Sequence, residues 1–218
     1  MQNDPGSIVI RKYAPQDRQA VRRICCETAL MGEPSDAFFD GDEVFADALT
    51  AYFTDYEPQS CFVAERAHDV VGYLLGAKDS GRMDSISASR ITLPLCMKSL
   101  RQGTLFRRKN AAFLFHVFLS FLKGEFRAPV FSRDYPAVLH INIRKGCRAE
   151  GTGTKLISAY LDYLKKQAVK GVHLATMSDA AGLFFRKQNF QLLFQGRRSY
   201  FRYFLGKDIP FYIYGMRF

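Results

Sequence analysis

Hydrophobic positions along this chain fall into three stretches of different character. From Ser7 to Gly76 they form short, well-bounded runs. Ser7–Lys12 reads as a short strand, and Pro15–Met31 sets Ala20, Val21, Ile24 and Leu30 at near-helical spacing behind Pro15 and Asp17, residue types that start helices. Phe38–Tyr56 predicts a second helix. Cys61–Glu65 and Val70–Gly76 are apolar runs separated by Arg66-Ala67-His68-Asp69, the pattern of an antiparallel hairpin. Between Lys78 and Pro136 the periodicity loosens: Ser85–Ser89 is polar, Pro94 and Gly103 interrupt it, and Ala111–Leu122 is densely apolar and helix-like. After Pro136 the pattern sharpens again. Val138–Ile143 reads as a strand, Gly146–Gly153 as a glycine-bearing turn, and Thr154–Val169 as a helix with Leu156, Ile157, Tyr160, Leu161 and Leu164 on one face. Val172–Met177 is the next strand, Ala180–Gln188 a short helix, and Phe190–Phe194 and Ser199–Tyr203 are strands. The sequence therefore predicts an α/β chain, one domain over residues 1–218 with an insertion at about 78–136.

The segment Ala111–Leu122 is flanked by Arg107, Arg108, Lys109 and Lys123, which raises a membrane-surface reading. An interfacial helix keeps a strongly polar face, however, and this one offers only His116 and Ser120, so burial on most sides is expected. No apolar run approaches the roughly 20 residues that span a bilayer, and no secretory leader is visible, so a cytoplasmic protein is expected. Five cysteines, with Cys25 and Cys26 adjacent, give no metal-ligand spacing; free thiols are expected and no metal site. The formal charge is +10, and Gly81–Arg127 carries nine Lys or Arg against Asp84 and Glu125. A basic stretch attracts nucleic acid, acidic lipid, acidic protein or a phosphorylated cofactor, and charge alone does not choose among them. With no recognition motif beside it, nucleic acid is not the expected partner.

The chemistry-bearing segment is the turn Arg148-Ala149-Glu150-Gly151-Thr152-Gly153, between a strand and a helix. Such a turn gathers unpaired backbone N–H groups and the positive end of the helix dipole, which together suit a pyrophosphate. Spacing separates three phosphate-binding patterns. A Walker A loop needs lysine where Thr152 stands, and a dinucleotide fingerprint needs glycine where Leu156 stands. The remaining pattern is Arg/Gln-x-x-Gly-x-Gly/Ala.

At these residues the chain resembles the GNAT N-acetyltransferase superfamily. Ser178-Asp-Ala-Ala181-Gly-Leu-Phe-Phe185-Arg-Lys-Gln-Asn-Phe190, after the strand Val172–Met177, is similar in order and spacing to that superfamily's Asn-x-x-Ala-x-x-x-Tyr-x-x-x-Gly-Phe segment. A closer resemblance is to the acetyltransferase-like domain of O-GlcNAcases and its bacterial relatives, carried by Asp134-Tyr-Pro-Ala137, Leu139-His-Ile141, Gly171-Val-His-Leu174, Phe204–Pro210 and Ile213-Tyr-Gly215. The resemblance implies an acyl-coenzyme A N-acyltransferase fold, a mixed, mainly antiparallel sheet flanked by helices. It implies acetyl-coenzyme A as cofactor, held by Ile141, Asn142 and Ile143, by Arg148, Ala149, Glu150, Gly151, Thr152, Gly153 and Thr154, and by Ser178 and Phe185.

It also implies acetyl transfer to a primary amine, of a small molecule or a protein, by direct attack. The tyrosine often proposed to protonate the departing thiolate is Phe185 here, which leaves Tyr200, Tyr203 or water for that task. Strand alternation places His140 and Asn142 on one face, so His140 is the first candidate base, equally readable as a structural histidine; Asp134 is the second. His173 reads as a core residue. The rival reading is a noncatalytic acetyl-coenzyme A binding or protein-interaction module, motivated by Phe185. Acceptor identity and oligomeric state have no signature in the sequence.

Overall fold

The computed structural model describes residues 7–148 and 150–218. Its frame is one seven-stranded sheet in the order β1-β2-β3-β4-β5-β7-β6: β1 (Val9–Lys12), β2 (Phe62–Arg66), β3 (Asp69–Ala77), β4 (Ala137–Ile143), β5 (Gly171–Thr176), β6 (Gln191–Arg198) and β7 (Ile209–Arg217). All neighbours pair antiparallel except β4 and β5. The hairpin β2–β3 turns through Ala67 and His68, both with positive φ, which matches the twist of the strands it joins.

Along β3 the side chains alternate between two cores. Tyr73, Leu75 and Ala77 join Val21, Ile24 and Cys25 of α1 (Arg18–Glu27) and Ala51 of α2 (Asp42–Ala51). Leu74 points the other way, to Leu156, Ile157, Tyr160 and Leu164 of α6 (Thr152–Lys166), as the helical periodicity predicts. Tyr160 is fully buried, and its hydroxyl is directed at the carbonyls of Val138 (2.8 Å) and Ala77 (3.1 Å). Its ring fills the space a side chain on Gly76 would occupy.

The stretch between β3 and β4 is helical from Ser80 to Leu122 apart from short turns, and runs as turns and extended chain over 123–136. α3 (Ser80–Ile86) runs through a π-helical turn at Ser87–Thr92 into α4 (Leu93–Arg101) without a break, and the wide turn falls just before Pro94, which has no N–H to carry the helical ladder on. α5 (Arg108–Leu122) follows. The expectation that this apolar helix is buried on most sides is corrected: Phe115, Phe118, Phe121 and Leu122 are exposed, and the fully buried positions are the polar Asn110 and Ser120. The inner face packs Phe113 against Phe38, Phe39 and Phe201 in a third, smaller cluster.

The C-terminal third departs from expectation at one element. Ser199–Tyr203, expected as a strand, is a turn leading into α8 (Arg202–Leu205), and the missing strand is β7, between β5 and β6. Phe201 is drawn into the third cluster and Gly206 ends α8 in the left-handed region, so the chain reverses before β7 begins. α7 (Asp179–Lys187) packs its Phe185 against Phe190 and Tyr214. No helix among the described residues is long and apolar enough to cross a membrane.

Candidate active site

The parallel pair β4–β5 holds together for only two residues, Ala137 opposite Val172 and Val138 opposite His173. Beyond them the strands diverge. The wedge between them is a cleft of about 540 Å³, walled by Leu139–Ile143 on one side and Leu174–Ser178 on the other. From Leu139 onward the edge of β4 that faces β5 has no strand partner, while its other edge stays paired to β3 through Gly72–Ala77. Open backbone at the mouth of a splayed parallel pair is a ready hydrogen-bonding surface for an amide-bearing ligand.

The glycine loop closes one end of this cleft. Gly151 caps α6 with φ of 70°, a left-handed conformation that glycine adopts without cost, and open space surrounds its missing side chain. Thr152 is fully buried and its hydroxyl donates to the Cys147 carbonyl at 2.9 Å, which fixes the turn. The N–H groups of Thr152, Gly153 and Thr154 are first-turn donors with no partner inside the helix. A side chain on Gly153 would meet the Phe184 ring at 2.9 Å, so glycine there preserves contact between α6 and α7 across the cleft floor. Thr154 accepts a hydrogen bond from the Gln188 amide at 3.1 Å. Glu150 is ion-paired to Arg66, which cancels a charge that would otherwise repel an anion. Ala149 lies outside the described residues.

Arg148 bridges the cleft. Its Nε donates to the Ile143 carbonyl at 2.9 Å, and its guanidinium lies so close to Gly32 that a side chain there would approach it to 2.8 Å. Gly32, with Met31, forms a tight positive-φ turn between Leu30 and Glu33, held by reciprocal backbone bonds of 3.0 and 2.8 Å. Thr28, Ala29, Met31 and Gly32 make up the opposite wall. Sequence reasoning missed this wall, although Gly32 and Pro34 are turn signals.

His140 and Asn142 share one face of β4, as alternation requires, and both line the cleft. Asn142 Nδ2 donates to the Tyr73 hydroxyl at 3.0 Å and lies 3.4 Å from His140 Nε2, while the Tyr73 and His140 rings meet edge-on. Burial pulls the His140 imidazole down to about 4, so it is neutral at physiological pH. Ser178 lines the cleft as the cap of α7, its hydroxyl accepting from the Ala181 N–H at 3.3 Å. Phe185 also reaches the cleft from its buried position.

Two expected catalytic residues are not brought to this place. Asp134 precedes β4 at the far end from the glycine loop and pairs with Arg217 at 2.9 Å on the surface. Tyr200 stacks among Phe113, Phe126 and Phe201, with its hydroxyl 3.1 Å from Met177 Sδ, outside the cleft lining. Tyr203 stacks on His116 of α5. Among the described cleft-lining residues there is no tyrosine and no carboxylate; the hydroxyls are Thr28, Thr154, Thr176 and Ser178, and the cation is Arg148. His173 Nδ1 lies 2.7 Å from the Tyr135 carbonyl, a structural bond.

Neither a family model nor a curated protein sequence matches the chain. Solved structures do match. The protein named SsHAT is 24% identical, covers 97% of this chain and 98% of its own, and superposes with a TM-score of 0.68. A polyamine N-acetyltransferase from Drosophila melanogaster, which catalyses the formation of N-acetylagmatine, is 13% identical, with coverage of 97% and 100% and a TM-score of 0.61. YncA from Salmonella typhimurium, a putative acetyltransferase solved with its cofactor acetyl-CoA, is 13% identical, with coverage of 96% and 93% and a TM-score of 0.56. The mixed seven-stranded sheet flanked by helices is the fold these proteins share.

Proposed function

We propose that this chain, which has the GNAT acetyltransferase fold, binds acetyl-coenzyme A in the cleft between β4 and β5 and transfers the acetyl group to a primary amine by direct attack. The observation that carries the reading is the conjunction of a splayed parallel pair with a left-handed glycine cap at the start of α6. The N–H groups of Thr152, Gly153 and Thr154 suit the pyrophosphate, with the Arg148 guanidinium as counter-charge and Arg66 neutralising Glu150. The unpaired edge of Ile141, Asn142 and Ile143 suits the amide-bearing arm, and Ser178 and Phe185 bound its inner end. Bound there, the coenzyme supplies an activated acetyl thioester.

A neutral His140 in the cleft takes the proton of the acceptor only as the new C–N bond forms and the nitrogen becomes acidic. Asn142 holds the imidazole beside Tyr73. Departure of the thiolate, whose ordinary pKa is about 8.5, goes without a tyrosine; Thr176, Ser178 or water stands nearest to that role. Asp134 is held on the surface by Arg217, and Tyr200 stands one residue behind the cleft wall at Met177. The basic stretch Gly81–Arg127 favours an acidic or phosphorylated amine, of a small molecule or a protein, over a polyamine, whose positive charge it repels. Free thiols, four of them buried, suit a reducing, cytoplasmic setting. Residues 1–218 act as one domain in this reading, with 78–136 inserted between β3 and β4.

Kinship with the O-GlcNAcase acetyltransferase-like domains belongs to the same proposal. Three of the words that carry it, at Asp134–Ala137, Gly171–Leu174 and Ile213–Gly215, meet at one corner. Tyr135 packs against the missing side chains of Gly171 and Gly215, Ala137 pairs with Val172, and His173 pairs with Gly215. That corner sets where β4 and β5 part, so the shared words speak to architecture rather than turnover.

The test is release of coenzyme A thiol from acetyl-coenzyme A over a panel of phosphoethanolamine, a peptide amino terminus, agmatine and spermidine. Release with the first two, and little with the last two, is expected. Binding without release on any amine selects the noncatalytic reading, which the absence of tyrosine among the described lining residues favours.

A further inference from the structure

α5 is amphipathic in the reverse sense. At about 100° per residue, Ala111, Leu114, Phe115, Phe118, Phe121 and Leu122 fall within a stripe about 120° wide. That stripe faces out, with Phe115 58%, Phe118 56%, Phe121 64% and Leu122 64% exposed. Polar bonds at both ends of the helix hold it against rotation. Asn110 is fully buried, its amide donating to the carbonyls of Asp40 and Thr104 at 2.8 Å each and accepting from the Asp40 N–H at 2.7 Å. Ser120 is equally buried and bonds to Glu125. Rolling the helix to hide its phenylalanines would break these bonds, so the exposed stripe is a fixed feature of the fold.

Cations bracket the stripe. Arg107 and Arg108 sit at the N-terminal end of α5, where the helix dipole disfavours positive charge, and Arg127 beyond the other, while Lys123 is turned inward, its Nζ donating to Ser199 Oγ at 3.0 Å. Among the described residues none of the three arginines has an ion-pair partner in the protein, and Glu125, the nearby carboxylate, is occupied by Ser120 and the Ser199 N–H. Phe106, just before the helix, is 73% exposed.

We propose that this face docks on a bilayer rich in anionic lipid. The aromatic and leucine side chains enter the interface, and Arg107, Arg108 and Arg127 meet the headgroups at either end of the helix. The polar side that an isolated interfacial helix must carry is here the protein body. A second copy of the chain is a poor occupant, because a two-fold contact along α5 sets Arg107 and Arg108 of one copy against Arg127 of the other, cation on cation. Nucleic acid would satisfy the cations and leave the apolar ridge between them in water.

The test is flotation of the full chain with vesicles, in equimolar phosphatidylcholine and phosphatidylserine and in phosphatidylcholine alone, beside the triple variant Phe115→Ser, Phe118→Ser, Phe121→Ser. The wild type is expected to float with the anionic vesicles, to do so much less with the neutral ones or at high salt, and to lose at least about tenfold in partitioning in the variant. These are surface positions, so the variant keeps the wild-type circular dichroism. A second variant, Arg107→Glu with Arg108→Glu, keeps the ridge and is expected to lose the preference for anionic vesicles. Wild type that stays in solution with the anionic vesicles overturns the proposal, as does a triple variant that floats equally well. A wild-type dimer that the triple substitution converts to monomer, measured by light scattering, also overturns it, because the ridge is then covered by protein.

Discussion

His140 is the residue at which burial and chemistry pull in opposite directions. Its imidazole, held down to about 4, refuses in the folded chain a proton that the unfolded chain accepts near about 6.5. Folding is therefore favoured fully above the unfolded value, and the contribution is lost as pH falls from about 6.5 toward 4; it totals ~3 kcal/mol, of which ~2 disappears between neutral pH and pH 5. Urea unfolding at those two conditions should show that fall in the wild type and a smaller one in His140→Gln; equal falls would mean that His140 titrates normally. Phe185 is the complementary case, a position where a hydroxyl is missing. Phe185→Tyr is expected to raise kcat for coenzyme A release by ~10-fold or more with KM for the cofactor unchanged. No change in kcat would show that the thiolate leaves without help.

At the level of elements, the strand-glycine-helix unit was legible because its signals are local: the alternation of Val138–Ile143, Gly151 in its left-handed cap and the apolar face of α6 all lie within 30 residues. The same holds for the β2–β3 hairpin. α5 was legible as a helix but not in its orientation, because Asn110 is buried by partners at Asp40, 70 residues away, and periodicity weighs its amide as surface. β7 was hidden by Pro210, which argues against a central strand. The structure accommodates the proline because β5 pairs with β7 only over Tyr212–Arg217, so the absent N–H removes no bond to β5. The inverted burial of α5 carries a prediction that hydropathy alone would reverse. Asn110→Ala, which strands Asp40 and Thr104 backbone groups, should cost ~3 kcal/mol. Phe118→Ser should stay within ~0.5 kcal/mol. Urea midpoints of the two variants check this ranking, and a larger loss for Phe118→Ser would mean that the phenylalanine is buried.

Across the whole molecule, the site depends on one long-range arrangement: the place at which β4 and β5 separate. Tyr160 pins the Val138 carbonyl at that point from one face, and the Tyr135–Gly171–Gly215 corner packs it from below. Past it, β4 stays on β3, and the cleft opens beside the start of α6. The loop and both strands were readable in the sequence, whereas the wall at Thr28–Gly32 was not, since only the three-dimensional sheet carries the α1 end to Arg148. Asp134 lies outside the cleft because it pairs with Arg217, and Tyr200 stands behind the cleft wall, its ring in the aromatic cluster and its hydroxyl 3.1 Å from the lining Met177.

The central claim is that this cleft holds a coenzyme A pyrophosphate at the start of α6. Calorimetric titration of acetyl-coenzyme A into the wild type and into Gly151→Glu tests it most directly. Space around Gly151 is open and the left-handed backbone costs the variant only ~1–2 kcal/mol, so the variant folds while placing a carboxylate among the first-turn donors. Saturable binding by the wild type, lost in the folded variant, is the predicted result. Binding of equal affinity by both, or none by the folded wild type at millimolar cofactor, would contradict the account.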